Sequence, residues 1–144
     1  MVLGCEKGDS MELVYTEICK SNTDLYHLYD RLGWNDVLKL ETHQLLQAME
    51  QSWYVIYVYS DEKLVGTGRV ISDGIINAYI CGIGVDPEYQ GKGIGKEITR
   101  KLINRCKTQG LHIQLFCEEE LVSYYEKLGF KVFATGMRLE DNLL

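Results

Sequence analysis

The chain has 144 residues, of which 46% are hydrophobic and 25% charged, as expected of one soluble globular domain with a single core. Its net charge of −6 argues against nucleic acid and anionic membrane as partners, and no run of about 18 apolar residues or secretory leader points to a membrane span or export. The five cysteines are odd in number and lack metal-ligand spacing, so they read as free thiols of a reducing cytoplasm with no metal site.

Residues 1–10 carry no pattern and are expected to be loose, leaving 11–144 as the domain. Met11 to Ile18 alternates as a first strand. Ser21-Asn22-Thr23-Asp24 supplies helix caps, Leu25, Leu28, Tyr29 and Leu32 follow at helical spacing, and Gly33 is a stop. Trp34-Asn35-Asp36 then forms a loop. Trp34 either lines an acceptor pocket there or packs on the helix end. Thr42 caps a second helix carrying Leu45, Leu46 and Met49. Trp53–Tyr59, Leu64–Ser72 and Ile75–Val85 read as a three-stranded meander, with turns at Ser60–Lys63 and Asp73-Gly74. Gly66 and Gly68 inside a strand imply a bulge or a close backbone approach. Gly82 and Gly84 imply a bulge that splays the third meander strand from its next neighbour.

The chain is organised around Ile83-Gly84-Val85-Asp86-Pro87-Glu88-Tyr89-Gln90-Gly91-Lys92-Gly93-Ile94-Gly95-Lys96, a strand that turns at the only proline and becomes a helix. Glycines at every second position let backbone amides approach a ligand. The helix N-terminus behind them suits phosphate or pyrophosphate, and Lys92 and Lys96 add charge. A Walker loop is excluded because Asp86 stands where its first glycine belongs and Gly93 where Ser or Thr should follow the lysine. A dinucleotide fingerprint is excluded because Gly91, Gly93 and Gly95 are spaced G-x-G-x-G.

Gly93 to Gln109 is a helix with Ile94, Ile98, Leu102, Ile103 and Cys106 on one face. Leu111 to Cys117 is a strand, and right-handed crossover makes it parallel to the third meander strand. Cys81, Cys106 and Cys117 lie in apolar patterns and read as small buried hydrophobes. Glu118-Glu119-Glu120 opens a helix that runs to about Leu128 and stops at Gly129. Phe130–Phe133 and Thr135–Leu139 are expected as two short final strands, with a frayed tail from Glu140.

Val85-Asp86-Pro87-Glu88-Tyr89-Gln90-Gly91-Lys92-Gly93-Ile94-Gly95 resembles the acyl-CoA-binding motif of the GNAT N-acetyltransferases, with Gln90, Gly93 and Gly95 in the defined positions of Q/R-x-x-G-x-G/A. Tyr124-Tyr125-Glu126-Lys127-Leu128-Gly129-Phe130 is similar to the family's F-Y-E-K-x-G-F segment. Two motifs in the right order cover, with the element order, nearly the whole chain after Met11. The resemblance is to a small, single-domain, bacterial-type member.

The resemblance implies an α/β (α+β) GNAT-like fold. Its central mixed, mostly antiparallel sheet is splayed between two parallel strands and flanked by about four helices. It implies acetyl-CoA as co-substrate, with the pantetheine arm against the backbones of Ile83 and Val85 and the pyrophosphate at Gln90, Gly91, Lys92, Gly93, Ile94, Gly95 and Lys96. It makes Tyr125 the general acid for the departing thiolate, since a phenol with a pKa near 10 stays protonated at neutral pH. Trp34 and Glu118 are candidate acceptor contacts. Glu118 stands where many members carry Asn, and it is either a cation-recognising carboxylate or a helix cap. No Asp or Glu lies on Asn77–Val85 to act as base, so Glu118, Glu119, Asp73 and a water chain remain as candidates. Acetyl transfer to a primary amine is the expected reaction, by a monomer or homodimer. The alternatives are a non-catalytic acyl-CoA sensor and an acyltransferase with another donor or acceptor.

Overall fold

The computed structural model describes residues 12–140; the expectations for residues 1–10, Met11 and 141–144 fall outside them. Five strands form one sheet in the order β1-β2-β3-β4-β5: β1 Leu13–Thr16, β2 Tyr54–Ser60, β3 Lys63–Ser72, β4 Asn77–Val85 and β5 His112–Leu115. All neighbours are antiparallel except β4 and β5, which are parallel. The helices are α1 Asp24–Arg31, α2 Trp34–Leu38, α3 Thr42–Glu50, α4 Ile94–Lys107 and α5 Val122–Glu126.

One sheet face carries α4. Ile94, Ile98, Leu102 and Cys106 bury against Ile56, Val58, Val70 and Ile80, each large aliphatic side chain contributing about 1.5–3 kcal/mol. The paired glycines of β3 make this approach possible. A Cβ at Gly68 would lie 2.7 Å from Ile98 Cγ2 and 3.1 Å from Leu102 Cδ1. The opposite face carries α1 and α3, with Leu25, Leu28, Tyr29, Leu45 and Met49 against Tyr57, Tyr59 and Leu64. Tyr59 is fully buried, and its hydroxyl is satisfied by donating to Asp24 Oδ2 at 2.7 Å and accepting from the Lys20 amide at 2.8 Å.

Several local expectations need correction. Trp34–Asp36 belongs to a short helix rather than a loop, because Gly33 at φ +76° ends α1 and lets the chain restart at once. The N-cap of α3 is Glu41, not Thr42; the Glu41 amide donates to Gln44 Oε1 at 2.9 Å, half of a capping box. The helix placed at 118–128 is a 3₁₀ turn, Glu119–Leu121, followed by the five residues of α5. Residues 130–140 form no strand. Only Ala134 separates the two expected segments, and a hairpin needs at least two turn residues. Val132, Phe133, Met137 and Leu139 are therefore exposed. Cys106 is buried, but Cys117 is exposed just beyond the end of β5. Among the described residues no helix is long and apolar enough to cross a membrane.

Candidate functional site

The parallel pairing of β4 and β5 stops at Ile80 opposite Leu115. β4 runs on for five more residues, to Val85, with no strand on that side. The register with β3 slips there: Arg69 pairs with Cys81 and Thr67 with Gly84, so Gly82 and Ile83 together oppose Gly68. The bulge, with Gly82 at φ +62°, reverses the alternation of the strand. The Asp86 amide donates back to Val65 O at 2.7 Å. By alternation the backbone of Gly84 also faces β3, while Ile83 and Val85 turn theirs toward the open side. Without the bulge they would face β3.

From Val85 the chain passes through a 3₁₀ turn at Pro87–Tyr89 into α4. Gly91 at φ +75° and Gly93 at φ +82° make the turn, and a Cβ at either would meet nothing within 4 Å. The strain of a left-handed backbone, rather than lack of space, calls for glycine at both. Every amide from Gln90 through Lys96 lacks a hydrogen-bond partner among the described residues. These amides, the dipole of the fourteen-residue α4 and the exposed side chains of Lys92 and Lys96 converge on one patch. Gln90 has a different part: its Nε2 donates to Val85 O at 3.0 Å, which braces the turn and occupies that carbonyl. Ile94 buries its side chain in the core and offers only its amide.

Asp86 holds this turn to the rest of the fold. Its side chain is 1% exposed and forms ion pairs with Arg31 Nε and, at 3.5 Å, Lys63 Nζ. It also accepts from the Glu88 amide at 2.9 Å, and Arg31 reaches Leu64 O at 2.7 Å. Burial alone would raise the carboxyl pKa. The Glu88 amide, Arg31 and Lys63 outweigh it and hold the pKa below the ordinary value.

A cavity of about 470 Å³ opens at the splay. Tyr125 lines it from α5 and Leu115 and Phe116 from β5 and beyond; Tyr29, Trp34 and Arg69 line the α1 side. The Trp34 ring meets Tyr29 edge-on at 4.9 Å and covers Gly84, where a Cβ would lie 2.7 Å from Trp34 Cη2. Tyr125 packs edge-on against Phe130 at 5.9 Å and Tyr124 at 5.0 Å. Burial first, then Tyr124 and Cys117, raise its phenol above 10.0, so it stays protonated across the neutral range. Among the described residues no group hydrogen-bonds its hydroxyl.

Trp34 and Tyr125 therefore share a cavity although 91 positions separate them. Glu118 does not join them. It is exposed, and its carbonyl accepts from the Leu121 amide. Asp73 sits in the β3–β4 turn, where its Oδ1 accepts from the Ile75 and Ile76 amides, and it is not among the residues lining the cavity. No carboxylate lines the cavity, and no cluster among the described residues could hold a metal ion. The sequence reading missed Asp86, Arg69 and Tyr29. Asp86 and Arg69 carried a usable signal, as charges inside otherwise apolar or glycine-rich strand ends.

Residues 23–130 match the Acetyltransferase (GNAT) family. The chain is 30% identical over 136 residues to "GCN5-related N-acetyltransferase 2, chloroplastic" of Arabidopsis thaliana, covering 80% of this chain and 52% of that protein. It is 31% identical over 134 residues to the "Uncharacterized N-acetyltransferase ycf52" of Pyropia yezoensis, covering 88% and 74%. The chain thus spans about half the length of the first relative and about three quarters of the second. A probable acetyltransferase of unknown function from Staphylococcus aureus superposes with a TM-score of 0.76 over 90% of this chain and all of that one, at 21% identity, and shares its fold.

Proposed function

The chain belongs to the acetyltransferase (GNAT) family, and on that premise we propose that it moves an acetyl group from acetyl-CoA directly to a primary amine of a small molecule or peptide. The observation that carries this reading is the continuous path from the free amides of Gln90–Lys96, along the open backbone of Ile83 and Val85, to a cavity walled by Tyr125. Pyrophosphate suits the first, with Lys92 and Lys96 for its charge. The amides of an extended pantetheine arm suit the second, in the manner of a strand added to a sheet edge. In this reading the Ile83 or Val85 amide polarises the thioester carbonyl.

The amine nitrogen then attacks that carbonyl carbon, the C–S bond breaks, and Tyr125 gives its phenolic proton to the leaving sulfur. No carboxylate lines the cavity, so water carries off the proton that the amine loses. Trp34 forms part of the acceptor wall. Glu118 is at most a peripheral contact for the acceptor, because it is exposed outside the cavity. The reading invokes no metal, nucleic acid or membrane, and it fits a monomer or a homodimer. The cytoplasm is the proposed compartment, since Cys19, Cys81, Cys106 and Cys117 are free thiols.

The test is continuous measurement of thiol release from acetyl-CoA over a panel of amines, with Tyr125→Phe beside the wild type. Amine-dependent release that falls about 10²-fold in the variant supports the assignment, that being the usual contribution of a general acid. Tight acetyl-CoA binding with no release from any amine would favour a non-catalytic sensor. Release only with a longer acyl donor would favour another acyltransferase.

A further inference from the structure

The wall of the cavity carries one charge. Among its lining residues only Arg69 is ionised at neutral pH, and the rest are aromatic, aliphatic, thiol or glycine. Arg69 lies on β3 opposite Cys81, and β4 has no Asp or Glu from Asn77 to Val85. No carboxylate among the described residues comes within ion-pair distance of the guanidinium. Nη1 donates to Ser52 Oγ at 3.2 Å, and Nε is buried with no partner at all. A partly buried guanidinium without a counter-charge is costly, and its planar fork matches a carboxylate or phosphate in bidentate fashion; a single cation in an apolar wall suits the singly charged carboxylate.

The position of Arg69 says which substrate the anion belongs to. Gly66 and Gly68 turn their Cα hydrogens to α4, whereas Arg69 stands on the opposite face, beside Gly82 and the Tyr29 hydroxyl. The phosphate patch belongs to α4 and its approach turn. The guanidinium therefore faces the α1–α2 side of the splay, across the sheet from α4. Trp34, Val37, Leu38 and Phe116 give that side an apolar surface.

We propose that Arg69 receives a carboxylate of the acceptor, so that the acceptor is an apolar amino carboxylate, such as an aromatic amino acid, rather than a cationic amine. This rests on the acetyltransferase reading above for the reaction. For binding it stands on Arg69 alone.

The experiment compares pairs that differ only in the carboxylate: phenylalanine against phenethylamine, and tryptophan against tryptamine. Wild type, Arg69→Gln and Arg69→Lys are assayed with acetyl-CoA. The wild type should favour the carboxylate of each pair at least tenfold in kcat/KM. R69Q should bring the ratio to about one, and R69K should restore part of it. A wild-type preference for the decarboxylated amine, or a ratio unchanged in R69Q, overturns the proposal. Faster turnover with succinyl-CoA than with acetyl-CoA would assign Arg69 to the acyl chain and overturn it equally.

A second measurement needs neither variant nor turnover. 3-Phenylpropionate should quench the tryptophan fluorescence of the wild type at concentrations at least tenfold below those at which 3-phenylpropanol does. Equal affinities overturn the carboxylate site. Carboxylate binding with no thiol release from any amine would instead sink the transferase reading and leave the site standing.

Discussion

Replacing Asp86 by Asn removes the charge that ties the phosphate turn to α1 and β3 while keeping the shape of the side chain. The loss has two parts. Arg31, a third exposed, loses a charge-assisted hydrogen bond from Nε, a contribution of about 1.5–3 kcal/mol. Lys63 at 3.5 Å is 41% exposed, and solvent screening limits its share to roughly 0.5 kcal/mol. Relief of the cost of burying a carboxylate offsets part of this, leaving a net deficit of about 2 kcal/mol. The pH dependence has a definite sign. The folded pKa of Asp86 is depressed, so its contribution is complete above the ordinary carboxylate pKa of about 3.9 and is lost as pH falls through the folded value. Urea unfolding of both proteins at pH 7, and in steps down toward pH 3, reads the difference directly. The deficit of D86N should be full at pH 7 and shrink below about pH 4. A variant as stable as wild type at pH 7, or a deficit undiminished at pH 3, would refute the ion-pair account.

Three further predictions follow from single residues. Gly84→Ala drives a Cβ to within 2.7 Å of Trp34 Cη2 and 2.6 Å of Leu32 Cδ1; it should cost about 1–3 kcal/mol in thermal unfolding and raise KM for the acceptor several-fold as Trp34 shifts. Gly93→Ala meets no neighbour but must hold φ +82°, so it should lose about 1–2 kcal/mol and bind acetyl-CoA more weakly in a calorimetric titration. Because the Tyr125 phenol is raised above 10.0, the alkaline fall of kcat from deprotonation of this acid should lie above pH 10. A Tyr125-dependent loss centred near pH 8 would remove it from that role.

Much of the fold was legible because its signals are local. β2, β3 and β4 show dense β-branched and aromatic runs between Asp and Gly turns, and α4 shows its apolar face at helical spacing. Gly66 and Gly68 announced a close approach or a bulge, without saying that the approach is by side chains of α4, and Gly82 announced the bulge in β4. The errors also have local causes. Phe130–Phe133 and Thr135–Leu139 alternate like strands, but one intervening residue cannot close a hairpin. A single left-handed Gly33 turned an expected loop into a helix. Long-range pairing was the part that could not be read. Asp86 and Arg31 are 55 residues apart, and nothing near either announces the other. Arg69 stands out in sequence as a charge in a glycine-rich strand, but its lack of a counter-charge shows only when β4 is laid beside it. Glu118 stood out because it occupies a position where many members of the resembling family carry Asn; it is exposed and is not among the residues lining the cavity.

The central claim is direct transfer at the splay, and it is tested by following the acetyl group itself. Acetyl-CoA labelled with ¹³C in the acetyl group is mixed with excess protein, with and without the amine that turns over fastest, and both amine and intact protein are weighed by mass spectrometry. The account predicts labelled amide in amounts equal to the coenzyme A released, and unlabelled protein when the amine is omitted. An acetylated protein that forms without amine, with the label on the exposed thiol of Cys117 and passed on when amine is added, would contradict it.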